Sequence, residues 1–108
     1  MIFVTGDAIF STPPHRVPEL VAQARLSAIY AFRQSVQAGG LIAYSPDFTW
    51  IARRHAQYVD RILRGGLPAE MPVEQPTEYT LTINLKTAKA LGLTVPPALL
   101  SGADEIIE

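Results

Sequence analysis

Five residues have the types and placement to hold a small molecule: Asp7, Tyr30, Gly40, Tyr44 and Ser45. Asp7 follows Gly6 at the end of an apolar run. There a carboxylate could pair with a ligand's amino or hydroxyl group, or bond the backbone of its own turn. Tyr30 lies inside a short apolar run, where its ring could stack on a flat ligand, although filling the core is the favoured reading. Tyr44 and Ser45 close a third apolar run just before Pro46, the place where an open α/β sheet presents side chains to a ligand. Gly39 and Gly40 precede that run and would allow close backbone approach, and service in a helix cap or loop explains them equally well. The chemistry these residues offer is recognition by ion pairing, hydrogen bonding and stacking. It is not bond breaking.

The groups that would support catalysis are missing or scattered. There is no cysteine, which excludes thiol catalysis, disulfides and thiolate metal sites. His15 and His55 stand far apart with no carboxylate motif beside them, so no metal site is expected. Ser11, Ser35, Ser45 and Ser101 lack the nucleophile-elbow context, and no phosphate-cradling glycine motif occurs. No cofactor is implied. Nine basic and ten acidic residues leave a formal net charge of −1, which provides no field for nucleic acid. No apolar run approaches the roughly 18 residues of a membrane span, and the first residues lack the basic start of a secretory signal.

The elements that must position these residues can be read from periodicity. Residues 1–5 form an apolar, β-branched run ended by Gly6-Asp7, a strand that residues 8–10 extend or leave for a loop. Val17, Leu20, Val21 and Ala24 make one stripe of a helix that runs to about Arg25, with Pro18 in its first turn. Residues 28–32 read as a second strand, 33–38 as a turn or two of helix, and 41–44 as a third strand. Asp47 is placed to cap the next helix, 48–64, which is expected to bury Phe48, Ile51, Ala52, His55, Val59, Ile62 and Leu63. Trp50 falls off that stripe and is expected to be partly exposed, and Gly65 or Gly66 supplies the left-handed cap. Pro68, Pro72 and Pro76 make 67–77 an extended connection, in which Glu70, Glu74 and Glu78 read as solubilising charges. Tyr79, Leu81, Ile83 and Leu85 alternate with Thr80, Thr82 and Asn84, the pattern of a strand with one buried face. Asn84 or Thr87 then caps a short helix that ends at Gly92, and 104–108 reads as a last short strand. The whole predicts one small α/β domain with a mostly parallel sheet between helical layers.

Four blocks carry a resemblance. They are the run Ala38-Gly39-Gly40-Leu41-Ile42-Ala43-Tyr44-Ser45-Pro46-Asp47 and the helix end Tyr58-Val59-Asp60-Arg61-Ile62-Leu63-Arg64-Gly65. The others are the proline-spaced 67–77 segment and Ile83-Asn84-Leu85-Lys86-Thr87-Ala88-Lys89-Ala90-Leu91-Gly92-Leu93. In this order they resemble the C-terminal part of the ABC-transporter substrate-binding protein family, whose relatives include tryptophan- and tyrosine-binding lipoproteins. The resemblance implies a type I periplasmic-binding-protein fold: a three-layer αβα arrangement, with two lobes that close on a solute. Residues 1–7 would be a strand of the second lobe, 40–44 a segment crossing between lobes, and 79–85 the strand that returns. On that basis the chain is expected to be an incomplete C-terminal portion, comprising second lobe plus crossing segment.

The function expected is non-catalytic binding of a small, amino-acid-like molecule for an ABC importer, with an ABC permease as partner and a periplasmic or cell-surface location. The competing expectation is a self-associating structural or regulatory remnant with no ligand, because an unaccompanied lobe exposes apolar surface and a sheet edge. Homo-oligomerisation is expected under either. Enzymatic activity is not expected.

Overall fold

A computed structural model describes residues 1–108. The chain falls into two compact units, one formed by Met1–Ser45 with Thr80–Glu108, the other by Pro46–Tyr79. The first unit carries a five-stranded sheet in the order β1-β2-β3-β4-β5, from β1 (Ile2–Val4), β2 (Ala28–Tyr30), β3 (Ile42–Pro46), β4 (Tyr79–Asn84) and β5 (Glu105–Ile107). Val4 pairs with Tyr30 and Tyr30 with Ala43, both in parallel, and Ile83 pairs in parallel with Ile106. Between β3 and β4 the direction reverses. The Asn84 N–H donates to the Leu41 carbonyl while Ser45 meets Thr80 at the other end. The sheet is therefore mixed and mostly parallel, an α/β fold.

Helices α1 (Ala8–Ser11), α2 (Arg16–Gln23), α3 (Arg33–Gln37), α5 (Leu85–Ala90) and α6 (Pro97–Ser101) connect these strands. The core gathers Ala28, Tyr30, Val36 and Ala43, with Val4, Val17, Val21 and Ile107 packed around it. Alternation along the strands explains this set: Val4, Tyr30 and Ala43 are register partners on one face. Phe3 and Tyr44 point the other way and stay exposed.

Several expectations are refined. Residues 8–11 are a helical turn and not a continuation of β1, because Asp7 caps it by accepting from the Ile9 N–H at 2.9 Å. The C-terminal half of β4 is buried on both faces, with Thr82 and Ile83 each 1% exposed, as expected where a sheet is covered by other elements on both sides. Thr82 and Asn84 are inside as a result, while Thr80 is half-buried. Asn84 caps α5 by accepting from Thr87 N–H at 3.1 Å, and its amide donates to the Val36 carbonyl at 3.2 Å.

The second unit is built on α4 (Phe48–Leu63), followed by a short 3-10 turn (Pro68–Glu70) within the proline-spaced connection. Asp47 caps α4 as its sequence position suggests, accepting from Thr49 and Trp50 N–H groups. Gly65 closes the other end at φ 97°. The apolar stripe is present but not buried: Leu63 is 81% exposed and Val59 55%. A helix face of this kind is made to be covered.

Candidate functional site

The C-terminal ends of the parallel strands β1, β2 and β3 share one edge of the first unit's sheet. Register fixes this, since Val4, Tyr30 and Ala43 align; β1 and β2 end there, and β3 runs on to Pro46. Asp7 follows β1, Phe32 follows β2, and Tyr44 and Ser45 end β3. Asp7 is exposed, and its Oδ1 is engaged by the Ile9 N–H. Oδ2 makes no hydrogen bond within the chain, so the cap leaves half of the carboxylate for another donor. The two readings of Asp7 are compatible.

Ser45 is 2% exposed and its Oγ lies 3.5 Å from Thr80 Oγ1. That separation is longer than an ordinary hydroxyl bond of about 2.5–3.0 Å, and the side chain is closed off from solvent. Tyr44 is 57% exposed and, being adjacent in the strand, projects from the opposite face to Ser45. A single ligand on one face could therefore meet only one of these two side chains. Phe32 reaches the same edge beneath Gly6, where an added Cβ would lie 3.4 Å from its ring. A shallow depression of about 290 Å³ opens there, lined by Ser11, Pro14, Phe32 and Gln34. Sequence reasoning passed over Phe32 and Ser11. The only signal for Phe32 was an aromatic at the end of a strand run.

Tyr30 and Gly40 belong elsewhere. The Tyr30 ring is 1% exposed in the core, and burial raises its phenol pKa above the ordinary value. A Cβ on Gly40 would stand 2.6 Å from Tyr30 Cε2 and 2.8 Å from the Ser35 carbonyl oxygen, so glycine here serves the packing of that ring. Gly40 precedes β3 whereas Tyr44 and Ser45 end it, roughly 13–16 Å along an extended chain. The structure thus joins Tyr30 to Gly40, and separately joins Asp7 to the strand ends.

The more enclosed cleft of the first unit, about 420 Å³, lies on the Tyr30–Gly40 side, between α2 and α5. In the second unit the charges that looked merely solubilising are organised. Arg54 forms a two-pronged ion pair with Glu74, and its hydrogen bonds hold the Glu74 carboxyl below the usual carboxylate range. The Tyr58 hydroxyl donates to the Pro72 carbonyl at 2.6 Å, tying the connection to α4. No cluster of His, Asp and Glu suited to a metal ion occurs, and no helix is long and apolar enough to cross a membrane.

The family described as ABC transporter substrate binding protein matches residues 8–107. The chain belongs to that family. Among solved structures, a conserved domain protein from Vibrio cholerae superposes with a TM-score of 0.90 at 25% identity, over 97% of this chain and 36% of that one. An ABC domain from Streptococcus pneumoniae in complex with L-Trp gives 0.89 at 24% identity, over 97% and 36%. A ligand-free, open substrate-binding protein with adhesive properties from Clostridium difficile gives 0.68 at 19% identity, over 98% and 36%. No curated protein matches. The chain spans about 36% of the length of each of these solved structures. Its sheet and helices are part of a lobe of the periplasmic-binding-protein-like fold.

Proposed function

We propose that this chain forms part of a solute-binding protein for an ABC importer, acting outside the cytoplasm by grasping a small amino-acid-like molecule without transforming it. The observation that carries this reading is the strand-end edge of the first unit. Asp7 offers an unspent carboxylate oxygen and Phe32 an apolar wall beside a small depression. Asp7 would take the ligand's ammonium and Phe32 its apolar side chain, with the exposed Tyr44 completing the contact. The family and the L-Trp complex of a structural neighbour support an amino-acid class of ligand. In this reading the first unit corresponds to the second lobe. β3 and β4 are crossing segments, and the exposed stripe of α4 is covered by further protein in the longer relatives.

The exposed apolar residues of α4 and of edge strand β1 also favour self-association of the chain as it stands. Calorimetric titration of the complete protein with a panel of aromatic and branched amino acids tests the main reading. One member should bind with micromolar or tighter affinity, and Asp7→Asn should weaken it about tenfold or more. Absence of heat for every member, together with a stable dimer by light scattering, would favour a structural remnant instead.

A further inference from the structure

We propose that the cleft between α2 and α5 is a second ligand site, for a small carboxylate carrying a short apolar tail. It lies away from the strand-end edge and stands independently of the function proposed there. At about 420 Å³ the cleft falls in the range of small-molecule sites, and most of its lining is apolar, with Val21, Leu41 and Leu91 among the walls. Two cations, Arg25 and Lys86, line it, and no acidic residue does. Neither cation has an ion-pair partner anywhere in the chain. Tyr30 contributes to the same lining, 1% exposed, with a buried hydroxyl that has no hydrogen-bond partner. A buried phenol without a partner is a cost to the fold unless something entering the cleft supplies one.

Arg25 adds an independent sign. Helix α2 ends in a six-residue cap in which the Leu26 N–H donates to the Val21 carbonyl and the Arg25 N–H to that of Ala22. The same hydrogen-bond pattern closes α3 at Gly39, α4 at Gly65 and α5 at Gly92. Only α2 places a side chain at the left-handed position, Arg25 at φ 52°. Glycine would be the conformationally cheaper residue there, and the arginine that occupies it stands at the cleft. Two unpaired cations, an unpartnered phenol and apolar walls together suit a carboxylate head with a hydrocarbon tail better than a bare anion or a neutral apolar molecule.

The test is an NMR titration of the full isotope-labelled chain with isovalerate, using isovaleramide and inorganic phosphate as controls. Saturable shifts are expected around residues 25–26, 39–41 and 86–91 with isovalerate, and little response to either control. Arg25→Gln and Lys86→Gln should each weaken isovalerate by about tenfold or more. Arg25→Gly relieves the backbone and should raise Tm while losing the same binding, which separates loss of ligand from loss of fold. Undiminished affinity in these variants, equal binding of phosphate, or no saturable shift would overturn the proposal.

Discussion

Gly40 offers the sharpest test of what positions the core under the sheet. In Gly40→Ala the new methyl would stand 2.6 Å from Tyr30 Cε2, 3.0 Å from Cδ2 and 2.8 Å from the Ser35 carbonyl oxygen. The Ser35 carbonyl cannot swing aside, because it accepts the Gly40 N–H at 2.8 Å in the cap of α3. The ring has little freedom to swing aside either, being 1% exposed and packed with Ala28, Val36 and Ala43. Overpacking of this kind costs about 1–3 kcal/mol. For a unit of this size each kcal/mol lowers Tm by roughly 4–8 °C. Gly39→Ala meets empty space but sits at φ 109°, so its cost is backbone strain of about 1–2 kcal/mol and does not depend on Tyr30.

Urea denaturation of both variants in native and Tyr30→Leu backgrounds separates the two causes. Removing the ring should recover part of the Gly40→Ala loss, a coupling of at least about 0.5 kcal/mol, and none of the Gly39→Ala loss. If Gly40→Ala were as stable as the parent and reduced only ligand affinity, the packing role would be refuted. Gly40 would then be a site of close ligand approach.

Two further outcomes follow from buried and paired polar groups. Asn84→Ala strips the Val36 carbonyl and the Thr87 N–H of their partners, and chemical denaturation should show a loss of about 2–3 kcal/mol. The Glu74 carboxyl, held below its ordinary value of 4.5 by its hydrogen bonds to Arg54, contributes stability that is present above that pH and lost as pH falls through the lowered value. Carbon-detected NMR should find Glu74 titrating below that ordinary value, and Arg54→Gln should move it back up.

Local signals carried most of the fold. Asp47 before an apolar run and Gly65 after it mark both ends of α4 without any knowledge of tertiary contacts, and the cap geometry agrees. The periodicity of 48–64 could not say what lies against its apolar stripe, since burial belongs to the partner surface and not to the helix. Strand β4 misled for a related reason. Threonine and asparagine alternating with leucine and isoleucine look like a half-solvated strand, yet both faces of its C-terminal half are covered, which buries Thr82 and Asn84 and obliges Asn84 to find partners within the fold.

The candidate site was partly legible. The strand ends that carry Asp7, Tyr44 and Ser45 can be read from the chain, and Tyr30 stands out as an aromatic within a short strand, with the core as its favoured place. Nothing local showed that its ring turns inward against Gly40, or that Arg54 would meet Glu74, 20 residues later. Phe32 was hidden inside a run that read as ordinary strand.

The strand-end edge of the first unit is proposed to receive an amino-acid-like solute. Amide hydrogen exchange on the complete protein, with and without a saturating amount of whichever panel amino acid binds best, addresses it directly. The account predicts new protection concentrated at residues 5–8, 31–33 and 44–46. Tight binding with protection confined to other parts of the protein, leaving those three segments unchanged, would contradict it.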